Sequence, residues 1–257
     1  MSDMDIYPTW IEPVLPDTVA TDYDYLYSDD PADNSAYTLA EFYGICYARR
    51  GRDYFTIGDK IKMVCSTNVF TDTEIVLRVI GFDHFRLADN NDEFASVVFD
   101  MIGVMNSSIR FKDTSGWQDE IRTYLNETIF SGLPTYLQKM IKEVAPRWYN
   151  PDSGNVENLP AKLILLTFAE IGKTTDATLL SELEDGETPP VFGVFTDNAS
   201  RIKKTSNGTG DPASWFVRSR RTGSFTHYTH TVNENGGISA IGAPNLFDVH
   251  ITFAFCI

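Results

Sequence analysis

The closing stretch of the chain constrains its fold more than any other. Val249, Ile251, Phe253 and Phe255 alternate with His250, Thr252, Ala254 and Cys256. This period of two predicts a β-strand over Asp248–Ile257 with one strongly apolar face. The chain ends inside that strand, so truncation there is expected to damage the fold.

A strand of this kind needs a layer to pack against, and the sequence upstream supplies one. Ser115 and Gln118 form a capping-box pair, followed by Trp117, Ile121, Tyr124 and Leu125 on one helical stripe that Gly132 ends. Pro134 starts a further helix carrying Leu137, Ile141 and Val144 on one face. Earlier, Thr38 and Glu41 open a helix with Leu39, Phe42, Tyr43 and Cys46 in register, which Gly51 is expected to stop. Strand-like runs occur at Lys60–Cys65, Glu74–Ile80, His84–Leu87, Lys162–Phe168, Trp215–Ser219 and Phe225–Val232. The pattern predicts an α+β fold: a twisted antiparallel sheet flanked by two helices, with long loops.

Residues 1–36 read differently. Between Met1 and Arg50 there are ten Asp or Glu and two Arg, with Pro8, Pro13, Pro16 and Pro31 among the acids. Proline blocks helix, while Tyr7, Trp10, Tyr23, Tyr25, Leu26 and Tyr27 are too apolar for a solvated tail. The expectation is an extended acidic and aromatic docking arm over 1–36, a connecting helix over 37–54 and a domain over 55–257.

The formal charge of −15 argues against nucleic acid, whose phosphates need Lys and Arg, and against an anionic membrane surface. Met1–Trp10 lacks the basic and apolar regions of a signal peptide, and no stretch approaches a membrane span. Cys46, Cys65 and Cys256 lie scattered in apolar runs and read as buried thiols made in a reducing cytoplasm. Between Arg201 and Arg221 six Lys or Arg face one acid, Asp211. This island is expected to pair with the acidic arm or with the acidic loop 181–188, or to meet an anionic polymer.

No catalytic or metal constellation emerges. Gly172-Lys173-Thr174 follows an apolar strand, but the phosphate loop needs a glycine where Thr167 stands. His227 and His230 point to opposite faces of a strand, and His84 and His250 are isolated. Asp29, Asp30 and Asp33 lack the ordered spacing of a calcium loop. Neither cofactor nor enzymatic activity is expected.

Trp215-Phe216-Val217-Arg218-Ser219 resembles the hallmark of a domain family of unknown function, a W-W-L-R-S segment near its C-terminus. Other segments follow the same order. Phe55–Ile61 is similar to the family's opening strand, and Glu74–Gly81 to its second. Trp117 with Ile121, Arg122, Leu125 and Asn126 resembles its helix, although Tyr124 stands where the family has a second tryptophan. Leu163–Leu166 with Glu170 resembles its next strand and acidic turn, and the segment around Phe253 its closing strand.

That family is abundant in phages and prophages. The resemblance implies a fold similar to C-type lectins and formylglycine-generating enzymes. It also implies a virion component: a tail, baseplate or fibre protein made in the host cytoplasm without a signal peptide. The rival functions are a host-encoded surface lectin module and, behind it, a formylglycine-generating-type oxidase. The motif itself reads as scaffold: Trp215 in the core, Arg218 a buried fork, Ser219 on the face of Trp215. Binding falls to loops 196–213 and 220–247, where Asn198, Arg201, Lys203, Asn207, Tyr228, Asn233 and Asn235 are the expected contacts for a host glycan. The arm is expected to dock other virion proteins, and the protein to be a homo-oligomer, a trimer first.

Overall fold

A computed structural model describes residues 26–27, 44–46, 48–64, 69–70, 74–106, 108–109, 117–150, 155–172, 192–220, 229–241 and 249–257. The first strands are β1 (Leu26–Tyr27), β2 (Lys60–Val64), β3 (Glu74–Phe82), β4 (Val97–Met101) and β5 (Ser108–Ile109). A hairpin follows, β6 (Arg147–Asn150) with β7 (Asn155–Asn158), then β8 (Leu163–Ile164). β9 (Lys203–Lys204) pairs with β10 (Pro212–Ala213), and β11 (Trp215–Arg220), β12 (Thr229–Val232), β13 (Ile238–Ile241), β14 (Val249–His250) and β15 (Ala254–Cys256) complete the chain. The larger sheet runs β1–β2–β3–β4–β15–β8 and a second runs β13–β12–β11–β14–β5. The protein is a mixed α+β molecule, mostly sheet with few helices.

The single strand expected over Asp248–Ile257 is two strands in two sheets. β14 lies between β11 and β5, while β15 lies between β4 and β8. The alternation is nevertheless meaningful. Val249, Ile251, Phe253, Phe255 and Ile257 enter the apolar cluster that holds Ile121, Leu125, Ile129 and Leu137. Ala254 and Cys256 enter a second cluster with Trp215, Val217, Phe192 and Phe195. Both faces are covered, so the segment Ile251–Ile257 is buried throughout.

Strand β4 is fully buried and has no counterpart among the sequence expectations. Its run Ala95-Ser96-Val97-Val98-Phe99-Asp100-Met101 carries no polar alternation, as a central strand covered on both faces should not. β4, and not the next strand-like run His84–Leu87, pairs with β3. That run makes only isolated bridges, Arg86 with Phe94 and Leu87 with Val144.

Three helical expectations change in detail. Residues 44–46 are helical, but Gly51 is not the stop. Arg49 takes φ 55°, and Arg50 N donates to Ile45 O at 3.0 Å while Arg49 N donates to Cys46 O at 3.1 Å. This is a Schellman turn with arginine in the left-handed position. Gly51 instead opens helix α1 (Gly51–Tyr54), where a Cβ would sit 2.1 Å from Val97 Cγ2. Thr38, Leu39, Glu41, Phe42 and Tyr43 lie outside the described residues, as do Ser115 and all of 1–36 except Leu26 and Tyr27.

The second helix runs as α2 (Trp117–Thr123), a π-helical stretch Tyr124–Ile129, and α3 (Phe130–Gly132). Ile121, Leu125 and Ile129, spaced by four, are buried against the larger sheet. The next helix, α4 (Thr135–Met140), is shorter than its apolar spacing suggested. Ile141 turns extended at ψ 122°, and Val144 bridges Leu87 and Ala161 instead of continuing a helical face.

The π-helical stretch carries Asn126 to the outer edge of β8. Asn126 Nδ2 donates to Leu163 O at 3.0 Å. Its Oδ1 accepts from Lys162 N at 2.7 Å and from Leu163 N at 3.0 Å. The side-chain amide thereby takes the place of a neighbouring strand on backbone that would otherwise be open. Asn126→Ala should cost about 1–3 kcal/mol, because it leaves partly buried donors and an acceptor without partners. Chemical denaturation measures this, and hydrogen exchange should quicken at Lys162 and Leu163 first.

Candidate functional site

The segment after β8 makes one tight turn, Thr167–Gly172, and five side chains converge on it. Thr167 and Glu170 form a reciprocal capping box. Glu170 N donates to Thr167 Oγ1 at 3.2 Å, and Thr167 N donates to Glu170 Oε2 at 2.6 Å. Arg218 on β11 reaches in from the side, donating from Nη1 to Leu165 O at 2.5 Å and from Nη2 to Glu170 Oε1 at 3.0 Å. Ser219 Oγ accepts from Phe168 N at 3.0 Å. Arg201 closes the far end, donating from Nε to Ile171 O at 2.6 Å and from Nη2 to Gly172 O at 3.3 Å. Trp215, buried at the start of β11, donates from Nε1 to Arg201 O at 3.1 Å.

The W-F-V-R-S strand therefore turns its guanidinium and hydroxyl inward on one turn of backbone, and its indole onto the carbonyl of Arg201, which closes that turn. Phe216 faces the helical cluster while Trp215 and Val217 face the other. Arg218 also lies over aromatic rings, its Cζ 5.8 Å from the centre of Phe85 and 5.9 Å from that of Trp148.

Glu170 is enclosed. Burial alone would raise its carboxyl, but Arg218 beside it, the contact with His84 and the Thr167 amide hold it down, from 4.5 to about 2. His84 Nε2 lies 3.4 Å from Glu170 Oε1, with the rings of Phe85 and Phe192 at 4.4 and 4.5 Å. His84 is thus part of this cluster rather than isolated. A depressed carboxylate contributes stability that is complete above its ordinary range and is lost as pH falls through the folded value. We expect about 3 kcal/mol of stability to disappear between roughly pH 4.5 and 2. Glu170→Gln should flatten that part of the profile, as read by denaturant midpoints at successive pH values.

A second buried charge group lies nearby. Lys203 on β9 donates to Asp100 Oδ1 at 2.6 Å, to Thr252 Oγ1 at 2.8 Å and to Met101 O. All three ammonium protons have acceptors. Burial pulls Lys203 down to about 8, Asp100 opposing and Arg78 adding to the effect. Arg78, directly across the ladder from Asp100, donates to its Oδ2 from Nη2 at 3.1 Å. The Lys203 ammonium also faces the Trp215 ring at 5.1 Å, so the indole touches both polar groups.

Residues 97–251 match the model of a family described as Domain of unknown function (DUF6273). The chain belongs to this family. No curated protein and no solved structure matches it. The DUF6273 match contains the turn, Arg201, Lys203 and the W-F-V-R-S strand. It starts at the first residue of β4 and stops before β15, the strand that joins β4 to β8. Strands β2, β3 and β15 thus complete a sheet that the matched DUF6273 segment begins.

Within DUF6273 the seven residues expected on binding loops separate into three groups. Arg201 and Lys203 are interior, at 2% and 1% exposure. Arg201, Lys203 and Arg218 of the positive island are therefore buried partners for backbone carbonyls, Asp100 and Glu170. Lys204 is half-buried, whereas the side chains of Arg220, Arg221 and the arm, and the 181–188 loop, lie outside what is described. Asn198, Asn233 and Asn235 are brought together. Gly236 takes φ +72°, and a Cβ there would lie 1.7 Å from Asn198 O, so the β12–β13 turn rests on the 197–200 turn. Asn233 Oδ1 accepts from Asn235 N and Gly237 N, both at 3.0 Å, and Asn198 Oδ1 accepts from Arg201 Nη1 at 3.0 Å. Asn198 and Asn235 are exposed. The Asn207 side chain and Tyr228 lie outside what is described, as do Lys173, the 181–188 loop, His227 and Cys65.

The other motif residues are also placed. Arg122 donates to Asp119 at 2.6 Å and to Pro160 O at 3.5 Å. Leu125 and Phe253 are core, and the Trp117 side chain lies outside what is described. Cys46 and Cys256 are buried in different clusters, and burial pushes both thiols up. Sequence reasoning missed Asp100, His84, Thr252 and the Thr167–Glu170 box. Only the last had a sequence signal, the T-x-x-E spacing.

Proposed function

We propose that this protein is a virion component of a phage or prophage, a tail, baseplate or fibre subunit with a C-type-lectin-like domain. It binds a host-surface glycan or a neighbouring virion protein through exposed loops. The observation that supports this is the division of labour around β11. The polar groups of the W-F-V-R-S strand are engaged inside, beneath a surface where the turns carrying Asn198 and Asn235 pack together. A fixed base under paired exposed turns suits recognition, because loops can vary while the turn below stays put. The charge of −15 favours neutral or cationic partners over nucleic acid. The acidic and aromatic segment 1–36 docks the subunit on its neighbours in a homo-oligomer.

Asn198→Ala with Asn235→Ala should cost about 1–2 kcal/mol through the lost Arg201–Asn198 hydrogen bond, leave the protein folded, and lower binding on a glycan array and in host adsorption by tenfold or more. Unchanged adsorption with a folded variant contradicts the reading.

A further inference from the structure

Lys203 and Asp100 are 103 residues apart in sequence and meet at 2.6 Å, Nζ to Oδ1. Asp100 lies on β4, inside the larger sheet between β3 and β15, while Lys203 lies on β9 in a separate two-stranded sheet. Both side chains are enclosed, at 1% exposure. Two ions held this way have lost their hydration, which is costly even when they are paired. The neutral alternative, an amine beside a carboxylic acid, is one proton transfer away along the contact itself. Burial already favours the neutral amine at Lys203, and a neutral amine is a nucleophile.

The two oxygens of Asp100 have different partners. Arg78 donates to Oδ2 from Nε at 3.3 Å and from Nη2 at 3.1 Å, whereas Lys203 meets Oδ1. If Nζ adds to Cγ, the oxygen that gathers negative charge is Oδ2, and a fixed guanidinium already holds it. Oδ1 is then free to take the proton and depart. Nζ is aimed by two further acceptors, Thr252 Oγ1 at 2.8 Å and Met101 O. Such fixed approach replaces the entropy that a collision in solution would cost. The Trp215 ring, 5.1 Å from Nζ, closes the remaining side. Met101, Thr252 and Trp215 are all buried, so bulk water is kept from the reverse reaction.

We propose that Lys203 and Asp100 condense into an intramolecular amide, a covalent staple between β9 and β4. The ammonium gives one proton to Oδ1, and the freed lone pair of Nζ bonds to Cγ. The Cγ–Oδ1 bond breaks with its electron pair on Oδ1, which takes a second proton from Nζ and leaves as water. The third proton stays on the amide nitrogen, and Oδ2 becomes the amide oxygen under Arg78. One cation and one anion disappear together, so net charge is unchanged and no oxidant, reductant or cofactor enters. The ion pair described above is the state before condensation. A link across 103 residues restricts the unfolded chain as other long-loop cross-links do. The proposal is independent of the virion reading and of the glycan surface, since it rests on this one buried contact.

Mass spectrometry of the full chain, purified in the folded state and then unfolded for measurement, tests this. Most molecules should be lighter than their sequence requires by the mass of one water. Proteolytic digestion should yield a joined pair of peptides, one carrying Asp100 and the other Lys203. The Lys203→Met and Asp100→Ala variants should each show their full mass and no joined pair. The unaltered chain decides the matter by itself, so a variant that folds poorly does not weaken the test. Full mass in the unaltered chain overturns the proposal. A mass lower by one water without the joined pair overturns it too, because dehydration at another aspartate would give the same loss.

Discussion

Arg218→Ala should prevent the protein from accumulating as a stable folded species. The substitution removes both ends of the fork: Leu165 O loses its donor, and Glu170 is left with only His84 and the Thr167 amide. Taking one partner from a buried, hydrogen-bonded ion pair costs about 3–5 kcal/mol, because the remaining charge stays desolvated. That is a large share of the roughly 5–15 kcal/mol that holds most domains folded. Arg218→Lys should recover little. An ammonium is a point donor and cannot serve a carbonyl and a carboxylate in the fixed geometry of a guanidinium. Urea denaturation of soluble protein, with near-ultraviolet circular dichroism as the readout, measures both. A soluble Arg218→Ala variant with a wild-type midpoint refutes the scaffold role of this residue.

The second large effect is expected at Asp100. Asp100→Ala leaves Lys203, at 1% exposure, with Arg78 beside it and no carboxylate between them. Two cations then face each other in the interior, one of them with no access to water. A loss of about 3–5 kcal/mol follows from the unpaired charge. The pair Asp100→Ala with Lys203→Met should be more stable than Asp100→Ala alone, because it removes the buried charge along with its lost partner. Denaturant midpoints of the single and double variants check this. A double variant less stable than the single one would mean that Lys203 contributes mainly by packing against Trp215.

What was legible in the sequence was mostly periodic. The alternation at the C-terminus and over Trp215–Val217 separates residues by cluster, whereas Arg218 and Ser219 both meet the Thr167–Gly172 turn, where the β11–β12 register shifts. The i, i+4 spacing of Ile121 and Leu125 likewise marks a buried helical face, which Ile129 continues in the structure. Partner choice was not legible. Nothing local in Val249–Ile257 tells that the segment leaves one sheet for another, because both halves carry the same pattern. Strand β4 escaped because burial on both faces removes alternation, leaving an apolar run with no phase to read.

Charge was the harder matter. Arg201 and Lys203 sit in a polar stretch rich in Asn, Ser and Gly, which reads as solvent-facing loop. Their burial depends on Asp100, about a hundred residues earlier, and on carbonyls of a turn thirty residues earlier. Such partners are long-range and invisible to any local window. Composition described the island's sign, and only tertiary structure shows that Arg201, Lys203 and Arg218 are interior. The same applies to Asn126, whose role depends on an open strand edge that exists only once β8 is in place.

The account depends on a physical coupling between Arg218 and Glu170 that holds the Thr167–Gly172 turn beneath the surface loops. A double-mutant cycle with Arg218→Met and Glu170→Gln, read by urea denaturation at pH 7, measures that coupling directly. Interacting buried residues show coupling of about 0.5–3 kcal/mol, and this pair should fall in the upper half of that range. Effects that add to within about 0.3 kcal/mol would mean that the two side chains act independently. The turn would then not be held by this strand.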